Sequence, residues 1–507
     1  MAGAYKTPGV YIVEKNAFPN SVVEVATAVP AFVGYTRIAD NKGSSLHRKP
    51  WRITSLTEFI NYFGGAPDDK FVLVPKVSDE VPADFRIGSD EYLLKRENDK
   101  PDTVRYYLYH CMQLFFQNGG GACYIVSVGT FSATGPEKPA MQDGIDLLLK
   151  EQEPTMLVLP DAMALAEPDC IALQQYSLQH CGERMKSRFA ILDVHDGYRE
   201  RSDPLGDPVV AFRGDLGINF LDFSAAYYPW LNTSIVQTTE TGFGNFVDLA
   251  SVKQLLLKGA GPNPPADFLQ VLDQVGVPDR DPQLKTYLSD DELHKILFAV
   301  SPGYANMLMA IKRKLNLLPP AAAMAGVYTM VDNTRGVWKA PANVSLASVI
   351  SPAVNITHDE QEDLNVTIAG KSINAIRTFI GEGTLVWGAR TLDGNSLDWR
   401  YINVRRTMIM IEESLRLATK AYVFEPNVSG TWVTIKGMAD NFLTGIWKRG
   451  GLAGATAADA FSVSVGLGET MTPEDILEGI LRVTILVALS RPAEFIEITF
   501  QQQMQKS

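Results

Sequence analysis

Hydrophobic and polar positions alternate strictly near the end of the chain. In the segment AEFIEITF, the side chains of Ile496, Ile498 and Phe500 fall on one side, with mainly polar residues between them. This period of two is typical of a half-buried β-strand, which we place at 493–503. Proteins normally pair or cover a free strand edge, so we expect this strand to need a partner.

The N-terminus has a similar pattern. After Thr7-Pro8-Gly9, the side chains of Val10 and Ile12 alternate with those of Tyr11 and Val13. The sequence therefore predicts a strand at each end of the chain. From the pattern alone, the two strands either pair with each other within one subunit or pair with other copies of the chain.

Helical and strand patterns alternate between residues 103 and 235. Three continuous apolar stretches, CYIVSV, TMLVLP and RFAILDV, predict buried strands, and helical segments precede each of them. Buried strands joined by helices predict an α/β layer with parallel pairing. We interpret two neighbouring segments as insertions, a charged and proline-rich one at 66–100 and a mostly helical one at 240–318.

The last third of the chain predicts two long helices followed by a strand. An apolar stripe that includes Met408, Ile411 and Leu415 predicts a helix from Tyr401 to about Tyr422. A second helix is predicted from Thr431 to Arg449, and it ends at a glycine pair. The apolar run ILRVTILVAL predicts a buried strand beside the terminal one.

Composition narrows the class of protein. The 507 residues have a net charge of −12, and residues 371–507 carry 14 basic and 14 acidic side chains, so the acidic excess lies in residues 1–370. A nucleic-acid partner is therefore not expected. The sequence has neither a signal-peptide pattern nor an apolar run of membrane-spanning length, so we expect synthesis in the cytoplasm.

Candidate chemistry is sparse. Asp161, Asp193 and Asp196 follow predicted strands, where α/β enzymes place catalytic carboxylates, but loop and helix capping explains such residues more often. The tripeptide Gly370-Lys371-Ser372 lacks the first glycine of a phosphate-binding loop. The four cysteines are expected to be buried hydrophobic residues. We therefore predict no catalytic residue, no cofactor and no metal, with an α/β enzyme or a soluble binding module as the alternative.

Several motifs in order resemble one family. The segments PPAAAMAGVY, RGVWKAPAN, INAIRTF, VWGARTL, YINVRR, FEPN and RPAEFI, together with TPGVYIVE near the start, resemble the tail sheath proteins of contractile phages and of phage-tail-like contractile injection systems. The resemblance covers about 319–507 and is loose over 36–318.

The resemblance implies a multi-domain fold, α/β and α+β, in which exchanged terminal strands complete a C-terminal α+β core. It divides the chain into an exchange strand at 1–20, an outer α/β region at 21–370 and an inner sheath domain at 371–507. The residues that it implies for strand exchange between subunits are Val10, Tyr11, Ile12, Val13, Phe495, Ile496, Glu497, Ile498, Thr499 and Phe500.

The resemblance also implies the partners of the chain. They are other copies of itself, sister sheath proteins, an inner tube protein, and baseplate and terminal cap proteins, assembled into a phage tail or a released tail-like particle. It implies no direct contact with nucleic acid and no membrane insertion. We expect Lys436, Lys448 and Arg449 to face the tube, although the same residues suit a solvated helix end.

Overall fold

The computed structural model describes residues 22–77, 82–96, 104–132, 134–277 and 287–498. The chain forms two compact units. The large unit comprises residues 26–406, and the small unit comprises residues 1–25 and 407–507. No helix in the described ranges is both long enough and apolar enough to cross a membrane.

The strands of the large unit are β1 (Pro30–Thr36), β2 (Asp40–Asn41), β3 (Ser44–Ser45), β4 (Trp51–Ile53), β5 (Val72–Pro75), β6 (Phe85–Ile87), β7 (Asp90–Lys95), β8 (Cys123–Thr130), β9 (Met156–Val158), β10 (Phe189–Asp193), β11 (Ser224–Tyr228), β12 (Leu231–Thr233), β13 (Leu317–Leu318), β14 (Val344–Ser345), β15 (Val349–Pro352), β16 (Asn374–Phe379) and β17 (Gly383–Val386). Its helices are α1 (Leu56–Phe63), α2 (Leu108–Gln117), α3 (Lys138–Leu147), α4 (Glu167–Gln179), α5 (Pro208–Asp215), α6 (Leu249–Gly259), α7 (Ala266–Asp273), α8 (Asp290–Val300), α9 (Pro302–Leu315), α10 (Ala321–Arg335) and α11 (His358–Asn365).

Helix α12 (Ile402–Thr419) contains the boundary between the units. The small unit continues with α13 (Ser429–Lys448), α14 (Ala457–Ala460), β18 (Phe461–Ser464), α15 (Pro473–Leu477) and β19 (Thr484–Val487). Short 3₁₀ turns lie at Leu148–Lys150, Pro160–Ala164, Leu221–Phe223, Thr238–Glu240, Phe243–Asn245 and Lys420–Tyr422, and a π-helical turn follows α4 at His180–Met185.

A nine-stranded sheet organises the large unit, with the order β14-β17-β16-β11-β10-β9-β1-β8-β4. The six inner strands from β16 to β8 pair in parallel. Antiparallel strands are added at both ends of this parallel part, β17 and β14 beside β16 and β4 beside β8. The predicted α/β layer is therefore confirmed, including the three apolar strands and the helices that precede them. Parallel strands need crossover connections, and here helices cover the faces of the sheet.

The two faces of the sheet can be followed along β1. Phe32 and the strand residues on its side form a core with α2 and α10. Val33 points to the other face, where α3 lies so close that a Cβ atom added at Gly144 would be 2.6 Å from the Val33 side chain. On the first face, a Cβ at Gly326 of α10 would lie 2.6 Å from the backbone oxygen of Phe115 in α2. The small residues of AAAMAG thus allow these two helices to pack closely.

The two predicted insertions form one structure together. Strands β5, β6 and β7 make an antiparallel three-stranded sheet, and its apolar side packs against α6 to α9 in a second core. The interpretation of 66–100 as an insertion did not include these three strands. Its strands are short and separated by charged turns, so no period was visible in the sequence.

The compact units divide at a different place from the sequence-based boundary at 370/371. Strands β16 and β17, which follow that boundary, belong to the large sheet. The last residue of the large unit, Arg406, has a guanidinium 2.6 Å from the carboxylate of Asp332 on α10. Motifs that are contiguous in the sequence are therefore divided between two separately packed units.

The small unit has a much smaller sheet. Strands β18 and β19 form an antiparallel pair, and α13 packs against β18. Helix α13 buries Ile435, Met438 and Leu443. The two long predicted helices are confirmed, but β19 is not the buried strand that the apolar run predicted, because the side chain of Leu486 is 65% exposed.

Candidate subunit interface

The edge of β19 that does not face β18 has no partner strand among the described residues. β19 pairs with β18 from Phe461 opposite Val487 to Ser464 opposite Thr484. A sheet edge carries backbone N–H and C=O groups that can accept a further strand. This edge is therefore a candidate site for backbone pairing with another chain.

A groove of about 1210 Å³ lies within the small unit and reaches β19. The side chains of Val483, Ile485 and Val487 contribute to its lining from the strand, and those of Ile435 and Ala439 contribute from α13. The stripe predicted on α12, namely Met408, Ile411 and Leu415, lines it as well. The groove is mainly apolar, so a segment that enters it gains free energy by burying hydrophobic side chains.

Polar contacts hold the start of β19 in place. The Arg482 guanidinium lies 3.0 Å from the Asp475 carboxylate, and the Thr470 hydroxyl donates to the backbone oxygen of Arg482 at 2.7 Å. Asp475 also caps α15 together with Thr472. The hydrogen bond from Arg482, followed by the one from the Thr472 backbone, lowers the pKa of the Asp475 carboxyl. These contacts fix the direction in which β19 begins.

The loop FEPN forms part of the groove wall. The side-chain amide of Asn427 donates to the backbone oxygen of Ile480 at 3.0 Å, and its oxygen accepts from the Trp432 indole at 2.6 Å. Asn427 therefore joins the loop both to α13 and to the segment that leads into β19. Phe424, three residues earlier, lines the groove and is fully exposed.

After β19, the chain continues to form backbone hydrogen bonds on the side of β18. Ala453 donates a backbone hydrogen bond to Ala488 at 2.7 Å, and Ser490 donates one to Gly451 at 3.4 Å. The ladder thus continues on the β18 side up to Ser490. The described part of the C-terminal segment, 491–498, is not in a sheet within the subunit.

The structure describes only some of the residues predicted for strand exchange. Phe495, Ile496 and Ile498 have exposed fractions of 75%, 79% and 69%, and Glu497 is also exposed. The remaining predicted residues, Val10, Tyr11, Ile12, Val13, Thr499 and Phe500, lie outside the described residues. Three large apolar side chains are thus in contact with water in the isolated subunit, which is an unfavourable arrangement unless another molecule covers them.

The residues predicted to face the tube lie on α13 and just after its end. Lys436 and Lys448 are exposed. The Arg449 guanidinium lies 2.5 Å from the Glu24 carboxylate within the small unit. Burial raises the pKa of Asp440, one turn after Lys436, and the lysine partly opposes this shift. The two lysines are therefore available to an acidic surface, whereas Arg449 already has an anionic neighbour.

Two of the carboxylates considered as catalytic candidates, those of Asp161 and Asp193, accept hydrogen bonds from the backbone. Asp161 accepts backbone hydrogen bonds from Tyr35 at 2.7 Å, Tyr107 at 2.6 Å and Leu108 at 3.1 Å, and Asp193 accepts one from Ala321 at 2.7 Å. Burial raises the pKa of Asp193 to about 7 and that of Asp161 to about 6. The additional N–H donors oppose the effect of burial at Asp161.

The other candidate groups are also engaged within the chain. Asp196 has an ion pair with Arg199 at 3.5 Å. In the tripeptide resembling a phosphate loop, Ser372 donates to the backbone oxygen of Asn365 at 2.6 Å, and Lys371 donates to that of Arg213. All four cysteines are buried, as predicted. No group of three or more His, Cys, Asp or Glu residues within the described ranges could hold a metal ion.

Two features of this interface were not predicted from the sequence. The open edge of β19 was hidden by the apolar run, although Leu481, Val483, Ile485 and Val487 alternate with other residues in a period of two. The sequence also did not predict a structural role for Asn427. No local pattern indicates that it bonds to Ile480, because that contact forms only when distant segments pack together.

Comparison with known proteins agrees with this architecture. Residues 395–503 match the family model of the phage tail sheath C-terminal domain. Over its whole length, the chain is similar to the contracted sheath complex of the PVC extracellular contractile injection system, with 26% identity, a TM-score of 0.61 and 99% of each chain covered. It is also similar to a chain in the anti-feeding prophage (AFP) baseplate, with 27% identity, a TM-score of 0.60, and 99% of this chain and 100% of that chain covered.

A curated phage protein matches part of the chain. The tail sheath protein of Vibrio phage KVP40 is 25% identical over 187 residues, which is 36% of this chain and 26% of the phage protein. The chain therefore spans about a quarter of the length of that relative. Together, these comparisons show a match to the phage tail sheath C-terminal domain over residues 395–503 and a similarity of the whole chain to chains of contractile injection systems.

Proposed function

We propose that this chain is a structural subunit of a contractile sheath, which polymerises helically around an inner tube and contracts to drive the tube through a target envelope. The observation that carries the proposal is an incomplete sheet in the small unit. The edge of β19 and its apolar groove lack a partner strand among the described residues, while Phe495, Ile496 and Ile498 of the same unit are exposed.

Exchange of terminal strands between copies would satisfy both features. In this arrangement, the segments around 10–13 and 493–503 leave their own subunit and extend the small sheet of neighbouring subunits. Backbone hydrogen bonds supply affinity, and pockets for alternate side chains set the register. At a net ~1 kcal/mol per hydrogen bond, two donated strands connect each subunit firmly to the polymer.

The proposed contraction is a change in packing between whole subunits. The large unit has a nine-stranded sheet and two cores of its own, so it can move as a rigid body while the exchanged strands keep the polymer connected. Packed interfaces tend to have two discrete arrangements rather than a continuous range. The work then comes from the free-energy difference between an extended and a contracted polymer, and no cofactor or catalytic residue is needed.

The proposal includes specific partners. They are further copies of the chain, sister sheath proteins, the inner tube, and the baseplate and terminal cap, with assembly from cytoplasmic subunits into a phage tail or a released tail-like particle. Full-length similarity to an injection-system sheath and to a baseplate chain supports the contacts with further copies and with the baseplate. Lys436 and Lys448, which are exposed on α13, are proposed to contact acidic groups of the tube.

Removal of residues 492–507 tests the proposal. We expect the full chain to form tubes that are visible by electron microscopy, and the shortened chain to stay monomeric with an unchanged circular dichroism spectrum. The large unit does not include the deleted segment, so its fold should survive. Tubes formed by the shortened chain would contradict strand exchange.

Substitutions in the full-length chain test whether assembly depends on the side chains of the terminal segment, and not only on its presence. Replacing both Ile496 and Ile498 with Asp puts charges on one face of the strand, and we expect tube formation to be lost. Glu497→Gln lies between them on the opposite face and should leave assembly unchanged. No observation favours the enzymatic alternative, since Asp161 and Asp193 are buried and hydrogen-bonded to the backbone.

A further inference from the structure

Phe424 is the most unusual side chain at the groove. Its exposed fraction is 103%, which means that the ring is wholly in water. Its φ angle of 72° lies in the left-handed region, which residues other than glycine adopt rarely and at a cost. An aromatic side chain held in this way, without burial in its own unit, gains nothing for the fold of the isolated subunit.

The loop that carries Phe424 is anchored on both sides. The backbone N–H of Glu425 donates to Tyr422 at 3.1 Å, and the Thr431 hydroxyl donates to the backbone oxygen of Pro426 at 2.7 Å. Asn427 joins the loop to Ile480 just ahead of β19, as described above. The position of Phe424 at the groove is therefore determined by hydrogen bonds, and not by packing of its ring.

The described part of the chain leaves the open edge of β19 free for another copy. After β19, the backbone continues along the β18 side as far as Ser490, and the described residues that follow do not pair with that edge. The 16 residues from Pro492 to Ser507 can extend about 50 Å at ~3.3 Å per residue, which exceeds the length of the groove-lining segment from Leu481 to Val487. The tail is thus long enough to cover the groove of a neighbouring subunit.

We propose that Phe424 closes over the C-terminal segment of a second copy once that segment has paired with β19, and that it selects this segment by contact with Phe495. This inference rests on the proposed strand exchange and assigns one side chain a role within it. In the paired strand, Phe495 alternates with Ile496 and Ile498, so if the two isoleucines enter the groove, Phe495 lies on the outer face, where the exposed Phe424 ring would cover it. Two aromatic rings that pack in this way exclude water from the new backbone hydrogen bonds.

The first experiment measures the critical concentration for polymerisation of the full chain by light scattering. Phe424→Ala keeps the Cβ atom and the backbone and should raise this concentration at least ~10-fold, as expected for loss of a central aromatic contact. Phe424→Tyr retains the ring and should stay within about twofold of the unmodified chain. Thermal unfolding of the monomer should be unchanged in both variants, because the ring is not buried there.

A matched control is Leu477→Ala. Leu477 is 87% exposed in the same unit and does not line the groove. We expect this variant to polymerise like the unmodified chain. An equal loss in both variants, or no loss in Phe424→Ala, would overturn the proposed role of Phe424.

Cross-linking identifies the segment that Phe424 contacts. A full chain with Phe424→Cys and Phe495→Cys, assembled and mildly oxidised, should give a ladder of covalent multimers on a non-reducing gel, since each copy donates one cysteine and receives another. The native cysteines are buried and should not contribute. A cross-linked monomer, or a ladder only when Tyr11→Cys replaces Phe495→Cys, would overturn the proposal.

The two proposals can fail separately. If the full chain forms tubes that require residues 492–507 but Phe424→Ala polymerises normally, strand exchange stands and the role of Phe424 is wrong. If tubes form without residues 492–507, strand exchange through the C-terminal segment is itself wrong.

Discussion

The two units of this protein differ in the size of the sheet around which each is built. In the large unit, antiparallel strands flank six parallel strands on both sides, and helices cover the faces of the sheet. In the small unit, two strands form the sheet, and the edge of β19 borders an apolar groove. In the proposed strand exchange, the large unit keeps its own fold, and neighbouring copies extend the sheet of the small unit. The comparison therefore predicts that substitutions in the large unit change stability and that substitutions at the groove change assembly.

The largest expected effect is loss of the buried ion pair in the large unit. Arg406 and Asp332 have side chains that are only 4% and 2% exposed, with 2.6 Å between their charged atoms. Arg406→Ala leaves the Asp332 carboxylate buried without this partner, so we expect the free energy of unfolding to fall by about 3–5 kcal/mol. Urea denaturation of the monomer measures this change.

The surface pair Arg416 and Glu413 provides the control for that experiment. The Arg416 side chain is 57% exposed. Because water screens exposed charges, Arg416→Ala should cost under ~1 kcal/mol. Similar losses in the two variants would mean that burial does not determine the strength of these pairs.

The next effect concerns the open edge. Ile485 lines the groove from β19 and is half-buried in the subunit. Ile485→Asp places a charge where a donated strand should lie, so we expect the critical concentration for polymerisation to rise at least ~10-fold. The monomer should lose no more than about 1–2 kcal/mol of stability. Sedimentation of assembled against free chain distinguishes the two effects.

The comparison position in the large unit is Arg52 on β4, which is an end strand of the large sheet. Arg52 is exposed and pairs with Glu153 at 3.1 Å. Arg52→Gln removes this surface pair and should change neither polymerisation nor stability by more than ~1 kcal/mol. A loss of assembly in this variant would contradict the view that the small unit provides the donated-strand site.

A smaller effect is the pH dependence of the large unit. Burial raises the pKa of Asp193 to about 7 in the folded protein, above its ordinary value of 3.8. The folded state therefore binds more protons than the unfolded state between these values, so stability falls as the pH rises from about 4 to about 7 and is constant above that range.

Asp193→Asn removes this contribution while keeping an oxygen for the backbone N–H of Ala321. We expect the difference in unfolding free energy between pH 5 and pH 8 to shrink by about 1–2 kcal/mol, because relaxation and water penetration reduce the cost of a buried charge. An unchanged difference would show that Asp193 titrates as an exposed carboxyl does.

The smallest effect on the monomer belongs to α13. Lys436→Gln and Lys448→Gln remove exposed charges, so stability should change by less than ~0.5 kcal/mol. A smaller fraction of each variant should co-sediment with the inner tube. High salt should reduce the binding of the unmodified chain to the tube in the same way. Arg449→Gln is the comparison, since Arg449 already lies beside Glu24 and should contribute less.

Local patterns predicted most of the secondary structure. The glycine pair after α13 lies at the predicted end of that helix, and the side chains of Ser55 and Thr472 cap α1 and α15. Such signals depend on residues within one or two turns of each other, so a sequence shows them directly. The stripe of Met408, Ile411 and Leu415 was predicted in the same way, although not the groove that it lines.

The motifs in order and the alternation at both chain ends were enough to show the family resemblance and to predict exchanged strands without any structure. The tertiary structure alone decided where the units divide, how the two insertions form one core, which edge of β19 stays open and where Phe424 lies. These features depend on contacts between residues far apart in the chain, such as Asn427 with Ile480 and Arg406 with Asp332. The alternation of residues along a segment predicts a strand and the face that it buries. Whether an edge of that strand remains unpaired depends on how the rest of the chain packs around it.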